Sequence, residues 1–246
     1  MALDKDLALE RALETGDDWQ SWRALRLSGD TMNEVPPVPY QESDGGFIGP
    51  SGRPSPGATG EGLCHLRLIG LGTGAATKTA ADWLLAARTP AQAWLDSPDD
   101  VPGELDTPGG SRVWATAAAC CGLYAAGRDP GPRAMDLLRG EADMDGRFTG
   151  GPYATFAAAG AYWLAEGPKT EMAEWALRWV REAEVDWEPW EVATGLTFWA
   201  AAAVPGEHPT VESFTDTLRA AASPEGWADD LGLTLRALEV LAFFDD

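Results

Sequence analysis

The feature that most constrains this chain is an alanine-threonine pair that returns at nearly fixed intervals. It occurs at Ala58-Thr59, Ala115-Thr116, Ala154-Thr155 and Ala193-Thr194, and Thr234 continues the series without its alanine. The threonine spacings are 57, 39, 39 and 40 residues, and each pair opens an alanine-rich apolar stretch. Self-similarity at a period of about 40 residues marks a stack of equivalent supersecondary units. A second marker runs in phase with the first, an acidic or glycine-containing turn that ends in an aromatic residue. Its copies are Asp44-Gly45-Gly46-Phe47, Asp145-Gly146-Arg147-Phe148, Glu184-Val185-Asp186-Trp187 and Glu225-Gly226-Trp227. Pro102-Gly103-Glu104-Leu105 reads as a weaker copy and Asp17-Asp18-Trp19 as a truncated first one, for about six units. The long interval contains an insertion rich in Pro, Gly and Asp at about 89–110.

Within a unit the hydrophobic pattern predicts two different helices. From Thr170 to Glu184, Met172, Trp175, Trp179 and Val180 recur at helical spacing while Glu171, Glu174, Arg178 and Arg181 take the other side, as on an outer helix. The preceding stretch, Tyr153 to Leu164, is apolar nearly all round, as on an inner helix covered by several neighbours. Glycine- or proline-containing breaks at Gly70-Leu71-Gly72, Gly127 to Pro132, Gly167-Pro168 and Pro205-Gly206 separate the two. The expected fold is therefore all-α, a solenoid of about six helical hairpins closing into an α/α toroid. With 246 residues, a single domain over 1–246 is expected.

Composition narrows the partners. A formal charge of −21 repels phosphate backbones, and no Lys/Arg cluster reverses it locally, so nucleic acid is excluded as an expected partner. No apolar run is long enough for a membrane span. The charged start Met1-Ala2-Leu3-Asp4-Lys5-Asp6 lacks the apolar core of a secretory signal, which points to the cytoplasm. Cys120 and Cys121 are neighbours on a predicted helix and diverge too far to bridge easily, so these and Cys64 are expected as reduced, buried thiols. The oligomeric state stays open.

The unit that runs from Asp44-Gly45-Gly46-Phe47 through Ala58-Thr59-Gly60-Glu61-Gly62-Leu63 to Leu68-Ile69-Gly70-Leu71-Gly72 resembles a known repeat. It is shared by squalene-hopene cyclases, related class II terpene cyclases and protein prenyltransferase β subunits. The later copy from Asp145 to Thr155 is similar, and the resemblance covers roughly Asp44 to Phe244. It implies an apolar or aromatic chamber inside the inner helices, reached from the end where their N-termini gather, and a small apolar, isoprenoid-like ligand.

On that reading Trp114, Phe148, Tyr153, Trp187, Trp190 and Trp227 gather near one rim of the cavity, with Glu61 beside them. Aromatic faces hold apolar ligands and attract cations, although the turn aromatics also have a structural role open to them, as staples between hairpins. Class II cyclases use an acid from an Asp-x-Asp-Asp-Thr motif, and the nearest string is Trp227-Ala228-Asp229-Asp230-Leu231. Asp229 and Asp230 are thus the candidate catalytic acids; capping of the following helix is their structural alternative. Asp96-Ser97-Pro98-Asp99-Asp100 has the wrong spacing and reads as loop. No cofactor and no metal are expected: no Cys follows an Asp at the prenyltransferase zinc spacing, and His65 and His208 are poorly placed for one ion. Asp143 and Asp145 are too slight a pair for a magnesium-diphosphate site. The Gly70-to-Gly74 run lacks the P-loop lysine and reads as a hairpin turn.

Three function classes remain open from sequence. They are a terpene-cyclase-like enzyme or isoprenoid-binding protein, a carbohydrate-active toroid with carboxylates drawn from Glu61, Glu188, Glu191, Asp229 and Asp230, and a non-catalytic helical scaffold.

Overall fold

The computed structural model describes residues 3–30, 34–103, 107, 109–168 and 170–245. Among these are eleven α-helices and no strand beyond four isolated bridges in turns. They are α1 (Lys5–Thr15), α2 (Asp18–Leu27), α3 (Pro56–Leu68), α4 (Ala75–Ala87), α5 (Gly110–Ala125), α6 (Pro132–Gly140), α7 (Pro152–Glu166), α8 (Glu171–Glu182), α9 (Pro189–Ala201), α10 (Pro209–Ala220) and α11 (Leu231–Asp245). Five of them begin on a proline, whose fixed φ suits the first helical turn and whose missing N–H is no loss there. Among the described residues no helix is long and apolar enough to cross a membrane.

Two helix populations follow from their surfaces. In α5, α7 and α9 nearly every residue is buried, whereas α8 buries Met172, Ala173, Ala176, Leu177 and Val180 and turns its charges outward. Successive apolar helices pack side by side, α3 on α5, α5 on α7, α7 on α9 and α9 on α11, and each of the first four carries its amphipathic partner behind it. The packed pairs climb in register: Gly57 meets Trp114 and Gly60 meets Ala118 on α3 and α5, while Cys121 meets Gly160 on α5 and α7. These helices are parallel, with their N-termini at one end of the molecule.

The centre is closed. A methyl group at Gly60 would fall 2.2 Å from the Ala118 carbonyl oxygen, and one at Gly122 would fall 2.4 Å from that of Gly60, so α3 and α5 touch backbone to backbone. Helix α3 also packs directly on α9. The Cys64 and Cys121 sulfurs lie 3.6 Å apart in this core as free thiols, with Cys120 also buried and unbridged. The cleft nearest these helices lies towards their N-terminal ends, whereas the resemblance implies an apolar chamber inside them.

The repeated threonine acts as a clamp. The Thr59, Thr155 and Thr234 hydroxyls accept the backbone N–H of the turn aromatics Phe47, Phe148 and Trp227 at 2.9, 3.0 and 3.1 Å. Thr116 takes the N–H of Trp94 at 3.2 Å. Trp94 also donates its indole N–H to the Leu84 carbonyl at 2.7 Å, as Trp227 does to Leu218 at 2.8 Å, so it fills the repeat's aromatic position. The expectation that Pro102 to Leu105 holds that place is corrected accordingly; Glu104 and Leu105 lie outside the described residues. The inserted residues follow Trp94 and fold back over the start of α3.

The two ends of the chain meet. Helix α11 packs against α1, α2 and α3, and Trp19 and Trp22 of α2 form a small core with Leu66 and Ile69 of α3. The N–H of Asp4 is bound by the Pro224 carbonyl at 3.1 Å.

Candidate functional site

At the end where the inner helices begin lies a cleft of about 540 Å³, within the range of small-molecule sites. Helix α2 brings Trp19 and Arg23, α3 brings Glu61 and His65, and α11 brings Arg236. The N-terminal halves of α5 and α9 add Trp114 and Trp190, and the segment before α3 adds Tyr40 and Phe47. A second hollow of about 630 Å³ lies on the outside between α6 and α8, but its lining includes Met144, which is 94% exposed, and no buried charge. The cleft is the better-built site.

Its floor is a buried ionic network. Arg23 donates to both Glu239 oxygens at 2.7 Å, and His65 Nε2 lies 2.8 Å from the same carboxylate. Burial alone would raise the Glu239 carboxyl, but Arg23 and His65 outweigh it and hold it at about 2. Burial lowers His65 against the opposing pull of Glu239, so the imidazole is neutral at pH 7. Above this floor Arg236 is bound by Glu61 and lies 5.0 Å from the centre of the Trp190 ring, a cation-π contact.

Of the residues singled out from sequence, Glu61, Trp114, Trp190 and Asp230 meet on this cleft. The other four aromatics do not line it: Phe148, Tyr153 and Trp227 are buried in the core and Trp187 packs against it. Phe148 and Trp227 are fully buried turn staples held by threonine. Tyr153 packs its ring edge-on to Trp114 at 6.3 Å, and Trp187 is lodged among Phe156, Trp179 and Phe214. Asp229 is exposed, with a positive φ, and pairs with Arg11 at 3.1 Å. Asp230 is exposed and accepts the Leu233 N–H at 3.0 Å, as a helix cap does. Neither carboxyl has the apolar enclosure that an acid catalyst for alkene protonation needs. Glu188 and Glu191 stand together at the start of α9, where the Glu188 N–H is bound by Glu191 at 3.0 Å.

Sequence reasoning passed over Asp96. It is 4% exposed, it accepts the Gly57 N–H at 3.0 Å at the start of α3, and its Oδ1 has no hydrogen-bond partner. Burial raises its carboxyl to about 7, with the Asp100 charge adding to the shift. Asp100 in turn accepts the N–H and hydroxyl of Ser51 at 2.8 and 3.0 Å. Among the described residues no group of three or more His, Cys, Asp or Glu side chains is placed to hold a metal ion. Compared with models of protein families and with curated proteins, the chain matches none of them.

Proposed function

We propose that this chain is a small-molecule-binding α/α toroid of the terpenoid-cyclase and prenyltransferase type, whose cleft takes a small, largely apolar, isoprenoid-like ligand. In this reading α2, α3, α5, α7, α9 and α11 form the inner set and the amphipathic helices α4, α6, α8 and α10 the outer one. The observation that carries the reading is the meeting of Glu61, Trp114 and Trp190 on one cleft at the N-terminal end of parallel apolar helices. The three come from separate repeats and stand towards the N-terminal ends of their helices, which supports a shared site.

Binding is favoured over turnover. The described carboxyls that line the cleft are each either exposed, as Asp17 and Asp230 are, or engaged, as Glu61 is by Arg236 and Asp100 by Ser51. A general acid needs a carboxyl kept protonated by burial without such a partner.

Tryptophan fluorescence on adding a short polyprenyl alcohol tests the reading. Trp190→Ala is expected to weaken binding about tenfold, the worth of one aromatic face. Trp175→Ala, on the outer helix α8, is expected to leave it unchanged. Equal effects from the two, or no binding by the unaltered protein, would overturn the proposal. Native mass spectrometry of freshly purified protein supplies the complementary result, since a copurified glycan in place of a polyprenyl lipid would favour the carbohydrate alternative.

A further inference from the structure

We propose that the ligand of this cleft carries a positive charge, as an organic ammonium does. The inference rests on the cleft being the ligand site and concerns the chemistry it selects. Gathered helix N-termini ordinarily favour anions, since each carries about half a positive charge. Here they are already occupied. Asp17 takes the Gln20 N–H of α2 at 2.8 Å, Asp96 the Gly57 N–H of α3 at 3.0 Å, and Asp230 the Leu233 N–H of α11 at 3.0 Å. At the start of α9 Glu191 holds the Glu188 N–H. At Asp17 and Asp230, which line the cleft, a full negative charge on a helix end worth about half a positive one leaves an excess of negative potential, whereas Asp96, whose proton burial holds up to about 7, adds little.

The basic side chains do not reverse this. Arg23 and Arg236 line the cleft together with the carboxylates Asp17, Glu61, Asp100 and Asp230. Both guanidinium groups are committed, Arg23 to Glu239 in two hydrogen bonds and Arg236 to Glu61. A diphosphate or carboxylate entering here would meet a carboxylate already paired with each arginine. The net charge of −21 extends the same preference outward, drawing cations towards the mouth.

The walls supply the other half of the recognition. Trp19, Tyr40, Phe47 and Trp190 line the cleft with the buried Trp114 behind them, and the Arg236 guanidinium over Trp190 shows that one of these rings already receives a cation. An ammonium surrounded by carbon, unlike a metal ion, gains from both apolar ring area and negative potential.

Three probes with one tail and different heads separate the terms: geranyltrimethylammonium, geraniol and geranate, each titrated against tryptophan fluorescence. The cation is expected to bind at least about tenfold more tightly than geraniol, and geranate more weakly than either. Raising salt from about 50 mM to about 500 mM should shrink that advantage, since screening shortens the reach of the cleft's potential. Asp230→Asn, whose amide still caps α11, is expected to narrow the gap between the cation and geraniol. Geraniol binding as tightly as the cation, or an unchanged gap in Asp230→Asn, would overturn the inference while leaving the cleft as a ligand site. Failure of all three probes would overturn both.

Discussion

Asp96 is the single residue with the most unusual setting. The folded chain holds its proton up to about pH 7, whereas a carboxyl in the unfolded chain releases it near about pH 4. Its contribution to stability is therefore full below about pH 4 and is lost as pH rises through 7. Asp96→Asn keeps an oxygen for the Gly57 N–H and removes the titration. The variant is expected to melt higher than the parent at about pH 8, by the equivalent of a few kcal/mol at most, and to match it more closely at about pH 5. A variant that tracks the parent across this range would show that the carboxyl ionises freely. His65 and Glu239 act in the opposite sense, because their folded values lie below their ordinary ones. The stability they supply fades as pH falls, first below the ordinary histidine value of 6.5 and then as the Glu239 carboxyl takes up its proton between 4.5 and about 2.

Among the elements, the helical hairpins were the most readable part of the chain, and the clamp explains why. Thr155 and Phe148 are seven residues apart, so the bond that fixes the turn against its helix is local, and its residue types recur with each repeat. Trp94 escaped notice because 22 residues separate it from Thr116 and the inserted segment hides the period. Asp96 was read as loop for a related reason: nothing near it in sequence signals that it reaches back 39 residues to cap α3. The cleft aromatics were only partly separable from staples, since both stand at helix starts and differ in whether a neighbouring hairpin covers them. The clamp itself can be measured. Thr155→Val keeps the shape but leaves the buried Phe148 N–H without an acceptor, at an expected cost of about 1–3 kcal/mol. Thr194, whose buried hydroxyl has no partner, provides the comparison, and Thr194→Val is expected to be neutral or stabilising. Urea denaturation of both variants decides the matter, and equal losses would mean that the hydroxyl matters for something other than the turn.

At the scale of the molecule, the network of Arg23, Glu239 and His65 ties α2, α11 and α3 together. Its members are 216 and 174 residues apart, and no sequence pattern pairs them. A charge left alone in such a place is costly, so Arg23→Met is expected to destabilise the protein by about 3–5 kcal/mol, while Arg23→Met combined with Glu239→Leu recovers most of the loss. Equal instability of the single and double variants would show that packing and not charge sets the cost. The same separation governs the order of events during synthesis. Apart from the contact of α3 with α9, hairpins from α3 to α10 meet the next one within about 40 to 60 residues and can assemble as they emerge. Arg23 and His65, made early, have no carboxylate to meet until the last helix arrives. The growing chain thus carries an open flank with two unanswered basic groups, and it is α11 that ends this exposure, which makes late-stage shielding of α2 and α3 the step where misassembly would concentrate.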